Sequence, residues 1–434
     1  MYLALFFALA TFATANAAYV PGKAFDRFLT IWLENQDFAK ASKNAQMEGL
    51  IKQGVLLTNY YAHTHPSQPN YIASVGGDYF GMNHDGYMTI PENVSTVVDL
   101  FETKGIEWKG YFEGVPGPGY MGEGSTRPDG NGFGYVRKHN PFISYDSINM
   151  NGSRLGQLQS LMSFQRDVAA NTVPQYAHIS PDMLNDGHDT SLEFAANWTD
   201  SFLAPLLNNE EVMKNTLILL TYDESETYPI PNKIVSLLLG NAIPPEKKGT
   251  TDNTFYTHYS ILSTLQNNWD LPCLGRYDVG ANVFDVAAAK TGYRNHPPPN
   301  VAAVNNSLSY PGYLNDNPAH RKPIPPPNLR LVGAGGVGVD EGIFAVWSSL
   351  AGELTPYDGS GRVDDGGTSL TLGNTPIYKA QAPAPAVTVM EGPTEPTGAV
   401  TTAKRSRGSK AQVIDGTWMA FLFGLYGVLM FVSY

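Results

Sequence analysis

Six short apolar runs set the pattern of the chain between Phe25 and Val283: 27–33 (RFLTIWL), 54–61 (GVLLTNYY), 106–112 (IEWKGYF), 175–179 (QYAHI), 216–221 (TLILLT) and 234–239 (IVSLLL). A strand with one face in water alternates polar and apolar residues, whereas a strand covered on both faces reads as a continuous apolar run. The stretches between these runs are polar-interrupted and helix-like at 43–53, 94–103, 155–170, 191–207 and 258–267. They are long enough to serve as crossovers between parallel strands. The sequence therefore predicts an α/β fold, with a largely parallel central sheet sandwiched by helices.

Composition narrows the chemistry. The chain has 434 residues, of which 42% are hydrophobic, ample for a buried core. Asp and Glu number 40 against 28 Lys and Arg, a net charge of −12. An acidic surface repels a phosphate backbone, so a nucleic-acid partner is not expected. Cys273 is the single cysteine, which excludes an intramolecular disulfide framework and a cysteine-ligated zinc cluster.

The two ends carry targeting patterns. Residues 1–17 (MYLALFFALATFATANA) form an apolar run ending in a small-x-small site, as in a signal peptide. A buried N-terminal helix is the alternative, but Pro21 and Gly22 break the run. Four Asn-x-Ser/Thr sites, at Asn93, Asn151, Asn197 and Asn305, fit a secreted glycoprotein. At the far end, 417–434 has no charged residue and follows small residues (Ser406, Gly408, Ser409, Ala411) and a short polar spacer. That order matches the signal for a glycolipid (GPI) anchor, with a plain membrane helix as the alternative. The layout expected is a signal peptide (1–17), a main body (18–295), a linker with a small β-rich extension (296–379), a Pro/Thr/Ala-rich stalk (380–409) and an anchor signal (410–434). Fragments such as LRLVG (329–333) and IFAVW (343–347) read as β-like within that extension.

Chemistry-bearing residues cluster just past the apolar runs. Run 27–33 leads into Glu34-Asn35, and run 54–61 into His63-Thr64-His65-Pro66-Ser67-Gln68-Pro69-Asn70. Run 175–179 leads into Asp182 and Asn185-Asp186-Gly187-His188-Asp189, and run 216–221 into Asp223-Glu224. Open α/β sheets bind ligands beyond the carboxyl ends of their strands, so these groups are expected at one rim. Glu34, Asn35, Asp223 and Glu224 are hard oxygen ligands suited to a divalent cation, which would neutralise the crowded carboxylates. Ser67, before a helix-like run, has the dipole and N–H donors of a helix start beside it. Contact with a cation would lower its pKa and make it a nucleophile. His188 and His258 are candidates for stabilising a transferring phosphoryl group.

Singly, each group has a plainer explanation: Asp223-Glu224 a solvated turn, Glu34-Asn35 a helix cap, Ser67 part of a Pro-flanked loop. Their arrival at consecutive strand ends outweighs those readings. Of His63 and His65 one is expected to function, while His84, His139, His178, His296 and His320 read as structural or surface residues. A G-x-S-x-G elbow, a P-loop and H-E-x-x-H are all missing, which argues against a serine esterase, a P-loop NTPase and a zincin.

The motifs LENQDF (33–38), HPSQPNY (65–71), NDGHD (185–189) and TYDE (221–224) occur in that order. Together they resemble the phosphoesterase family that holds fungal phosphate-repressible acid phosphatases, bacterial acid phosphatases and phospholipase C enzymes, over roughly 25–290. The resemblance implies an alkaline-phosphatase-like fold and phosphoryl transfer through a phosphoserine. It implies Glu34, Asn35, Asp223 and Glu224 as metal ligands, Ser67 as nucleophile, His188 and His258 as stabilising histidines, and His65, Asn70 and Asp189 as substrate contacts. Phospholipase relatives carry Thr at the nucleophile and His-Gly-Gly after Asp-Glu; here Ser67 and Ser225-Glu226-Thr227 stand there, which favours monoesters. The expectation is a secreted acid phosphatase acting on small phosphorylated substrates with a divalent metal ion, and held to the membrane by a C-terminal lipid anchor. A phosphodiesterase or phospholipase C of the same fold, or a non-catalytic surface glycoprotein, are the alternatives.

Overall fold

The computed structural model describes residues 19–127, 129–130, 132–299, 308–351 and 355–362. Eight strands form one sheet in the order Thr250–Asp252, Val55–Leu57, Ser236–Leu239, Thr216–Tyr222, Arg27–Leu33, Tyr176–Ser180, Trp108–Phe112, Leu158–Ser160. Every pairing is parallel except those of Ser236–Leu239, which runs against both its neighbours. The largely parallel sheet read from the sequence is therefore present, with one reversed strand inside it.

The two central strands show why the apolar runs are continuous. All seven residues of Arg27–Leu33 and of Thr216–Tyr222 are buried. Helices cover the faces, and local side chains start them. Asn44 accepts the backbone N–H groups of Gln46 and Met47 at the head of Ala45–Ile51. Thr96 and Asp99 form a reciprocal capping box on Val97–Glu102. Ser191 accepts from Phe194 N at the start of Leu192–Leu207. The run read as one strand at 54–61 divides into Val55–Leu57 and Tyr60–Tyr61, the second pairing with Tyr256–Thr257 outside the main sheet.

The segment after residue 307 differs from the expected β-rich extension. IFAVW lies in an α-helix, Glu341–Trp347, capped by Asp340; its Ile343 and Trp347 are buried while Phe344 and Val346 are exposed, a helical rather than a strand-like spacing. The fragment at 329–333 supplies an isolated bridge between Val332 and Gly338. The segment lies against the main body: Leu314 N donates to Phe80 O, Trp347 Nε1 to Asn93 O, and the hydroxyls of Tyr310 and Tyr357 reach the buried Asp78. Among the described residues no helix is long and apolar enough to cross a membrane. The leader at 1–17, the stalk at 380–409 and the anchor signal at 410–434 lie outside the described residues.

Beneath the carboxyl rim, His178 is fully buried, with Nδ1 3.2 Å from Thr30 Oγ1 and Nε2 3.0 Å from Ser180 Oγ. Burial, aided by the nearby charge of His139, pushes its pKa down to about 3. An unfolded histidine titrates near 6.5, so the unfolded chain takes up this proton first. Stability from His178 is thus present above about pH 6.5 and lost as pH falls toward 3, by up to ~1.4 kcal/mol per pH unit. His178→Gln is expected to flatten the pH dependence of urea unfolding across that window; an unchanged slope would count against it.

Candidate active site

Register brings the first two ligand candidates together. Leu33 pairs with Tyr222 in adjacent parallel strands, so the next residues, Glu34 and Asp223, leave the sheet side by side. Asn35 turns the chain away with φ of 49°, a left-handed conformation that asparagine tolerates better than most residues. Asp223 Oδ1 accepts the backbone N–H of Asn35 at 3.2 Å and that of Glu224 at 2.7 Å.

Ser67 arrives from a third element. It is the first residue of the Ser67–Gly76 helix, with Pro66 as N-cap, so its hydroxyl sits at the positive end of the helix dipole. Ser67 Oγ lies 3.3 Å from Glu34 Oε2 and 3.2 Å from Glu224 Oε1. The serine and both carboxylates are buried. Three segments far apart in sequence thus meet at one oxygen.

The carboxylates perturb one another. Burial, then the charges of Glu34 and Glu224, drive Asp223 well above the usual carboxylate range. Burial, then the charges of Glu34 and Asp85, do the same to Glu224. Glu34 goes the other way: burial opposes its charge, but His139, Lys138 and His188 hold it below the usual range. Asn35 Oδ1 and Asp223 Oδ2 are buried without a hydrogen-bond partner. Orphaned oxygens of this kind beside mutually repelling carboxylates fit a hard divalent cation. Glu34 also belongs to a second group with His139 and Asp186, whose ligand atoms all lie within 4.8 Å of one another.

His139, which reads from the sequence as a structural or surface residue, lies at the rim. Its Nε2 meets Glu34 Oε1, and its Nδ1 is 3.2 Å from Asp186 Oδ2. Burial works against its charge, but Glu34 and Asp186 raise it to about 9. Burial in turn raises Asp186 to about 6, against the pull of His139. The signal for His139 was faint because it follows no strand of the main sheet. It ends a single 3₁₀ turn, Arg137–His139, after the short hairpin Gly124–Thr126 and Phe133–Val136.

The other candidates fall into two groups. His188 stays partly exposed at the mouth, with Nδ1 2.9 Å from Asp189 Oδ1 and its backbone N–H on Asp186 Oδ1 at 2.8 Å. His65 contacts Glu224 through Nδ1 and stacks on Tyr228 at 3.9 Å between ring centroids; burial pushes it down to about 4. His258 and Asn70 face inward instead. His258 Nε2 is 2.8 Å from Asp223 O and Nδ1 is 3.2 Å from Tyr60 Oη, so both ring nitrogens are engaged within the protein, and burial lowers it to about 4. The Asn70 amide is used up by its own loop: Oδ1 accepts His63 N at 2.8 Å and Thr64 N at 3.4 Å, while Nδ2 donates to Thr64 O at 2.8 Å and Pro66 O at 3.3 Å. Expected to contact a ligand, these two residues shape the chain that presents Asp223 and Ser67. Asn93, Asn151 and Asn197 are exposed, and Asn305 lies outside the described residues.

A family model described as the Phosphoesterase family matches residues 32–272. The chain belongs to the Phosphoesterase family. An Aspergillus fumigatus protein named acid phosphatase is 52% identical over 295 residues, covering 68% of this chain and 65% of that one. This chain therefore spans just under two thirds of that relative's length. A Kluyveromyces lactis protein named probable acid phosphatase is 46% identical over 328 residues, covering 76% of this chain and 77% of its own. A solved protein of the alkaline phosphatase superfamily from Vibrio parahaemolyticus is 12% identical, with a TM-score of 0.36 over 57% of this chain and 67% of that one. Both relatives carry acid phosphatase in their names.

Asn70→Ala removes all four amide bonds from the loop that carries Ser67. It is expected to cost about 1–3 kcal/mol in denaturant unfolding, with a loss of turnover from the loosened serine. Unchanged stability would show that water replaces the amide.

Proposed function

We propose that this protein is a secreted acid phosphatase that hydrolyses phosphate monoesters through a phosphoserine at Ser67. The observation that carries the reading is the Ser67 hydroxyl at a helix N-terminus, within 3.3 Å of two buried carboxylates from two other segments. The curated relatives named acid phosphatase support the same class.

Glu34, Asn35, Asp223 and Glu224 would hold a divalent cation, with His139 and Asp186 adjoining through Glu34. When bound, such a cation lowers the hydroxyl pKa and offsets the carboxylate charge. The protein's own groups supply the rest. Ser67 Oγ attacks phosphorus in line as its proton leaves toward the carboxylates it touches, and the leaving oxygen departs on the opposite side. His188, at the mouth, donates a proton to that oxygen, while Asp189 holds Nδ1 and leaves Nε2 for the task. Water then hydrolyses the phosphoserine and frees inorganic phosphate. Proton donation needs a charged histidine, which favours an acidic optimum.

The leader, the anchor-like tail and the sequons, three of which are exposed, support an extracellular location. The proposed substrates are small phosphorylated molecules outside the cell, with attachment to the membrane by a C-terminal lipid.

Ser67→Ala is expected to lower kcat on an aryl phosphate by about 10³-fold or more while thermal unfolding stays cooperative. Substantial remaining turnover would take the nucleophile's role from Ser67. Chelation followed by dialysis is expected to cut turnover by about tenfold or more, with recovery on adding back a divalent cation. Full activity after chelation would remove the cation from the reading.

A further inference from the structure

Lys138 has no part in the chemistry above, yet it is bound to the rim from two sides. It stands between His139 and Arg137, whose guanidinium is tied to backbone carbonyls: Nη1 donates to Met121 O at 3.2 Å and Nη2 to Ile143 O at 2.8 Å. The Lys138 ammonium is free of such ties. Its Nζ lies 3.0 Å from Asp85 Oδ2, and Asp85 Oδ1 accepts the Gln68 backbone N–H at 2.9 Å. One carboxylate therefore fixes the ammonium relative to the residue next to Ser67. On its other side Nζ is 3.5 Å from His188 Nε2. Its charge reaches Glu34, Asp223 and Glu224. Lys138 also lines, with Gln68 and Asp85, a cleft of about 190 Å³.

We propose that Lys138 is a specificity-determining residue that binds the outermost oxygen of a phosphate monoester and so favours monoesters over diesters. The proposal rests on the reading of this rim as a phosphoryl-transfer site. An ammonium has three N–H donors; Asp85 takes one, and the charged His188 beside it accepts none, which leaves two for a ligand. A monoester dianion presents three non-bridging oxygens and two negative charges, whereas a diester presents two such oxygens and one charge. Near Ser67 the helix N-terminus serves the inner oxygens, and the ammonium meets the oxygen on the cleft side. In a diester a carbon substituent occupies that position, and the ammonium is stripped of water without gaining an anionic partner. The same group thus attracts one class and rejects the other.

The test compares kcat/KM on p-nitrophenyl phosphate and on bis(p-nitrophenyl) phosphate for the full chain, Lys138→Met and Lys138→Arg. Lys138→Met keeps the length of the side chain and opens the cleft to an apolar substituent. It is expected to lower the monoester-to-diester ratio by about tenfold or more, while Lys138→Arg restores most of it. A ratio within about twofold of the parent, whether both rates fall or neither does, would overturn the proposal. Binding of inorganic phosphate by calorimetry gives a readout independent of turnover. An affinity weakened about tenfold in Lys138→Met supports the proposal, and an unchanged affinity overturns it. If Ser67→Ala keeps monoester turnover, the phosphoserine reading fails, while the Lys138 ratio and the phosphate affinity still decide this proposal.

Discussion

Repulsion among buried carboxylates is the constraint around which this rim is built. Glu34, Asp223, Glu224 and Asp186 gather where water is excluded, and burial opposes the charge of each. Left to themselves such groups would separate or bind protons. They stay together because the backbone beneath them has no freedom to yield. Parallel pairing of Leu33 with Tyr222 fixes the neighbouring carboxylates at the spacing of adjacent strands. Strands buried along their whole length make any slip of register costly, since a one-residue shift would exchange the residues packed on each face.

The surrounding polar groups answer that repulsion in different ways. Backbone N–H groups of Asn35 and Glu224 point at Asp223, His139 bridges Glu34 and Asp186, and the Ser67 hydroxyl faces two carboxylates at once. Buried amides then lock the loops to one another. Asn232 accepts Ser225 N at 2.7 Å and donates to Thr64 O at 2.9 Å, which ties the Glu224 turn to the Ser67 loop. Ser309, from the segment expected to be a linker, lies 2.8 Å from Thr64 Oγ1. The rim therefore depends on chain beyond the sheet, and the positions of Glu224 and Ser67 are linked.

Much of this was legible in the residues. The apolar runs at 27–33, 175–179 and 216–221 became central or near-central strands because no alternating pattern competes with them. Polar clusters after those runs stood out because a strand end is where the chain leaves the core. Other features were not legible. Ser236–Leu239 looks like its parallel neighbours because a strand covered on both faces has the same apolar reading in either direction. Leu158–Ser160, only three residues long, was hidden in a stretch that reads as helix up to Ala170. The IFAVW fragment is rich in residues that suit a strand, but its side chains bury at helical spacing against the body.

The sequence by itself determined the fold class and which polar motifs would arrive at the carboxyl edge, since both depend on local pattern and on the direction of parallel strands. Only the tertiary structure decided which of those groups face one another. It turned Asn70 and His258 inward, where their hydrogen bonds are used by loop and backbone, and it brought His139 and Lys138 in from a hairpin that lies outside the main sheet. Spacing along a chain records which residues are neighbours within an element. Contact between a 3₁₀ turn, a helix start and two strand ends depends on how the connections pack, and no local pattern encodes that.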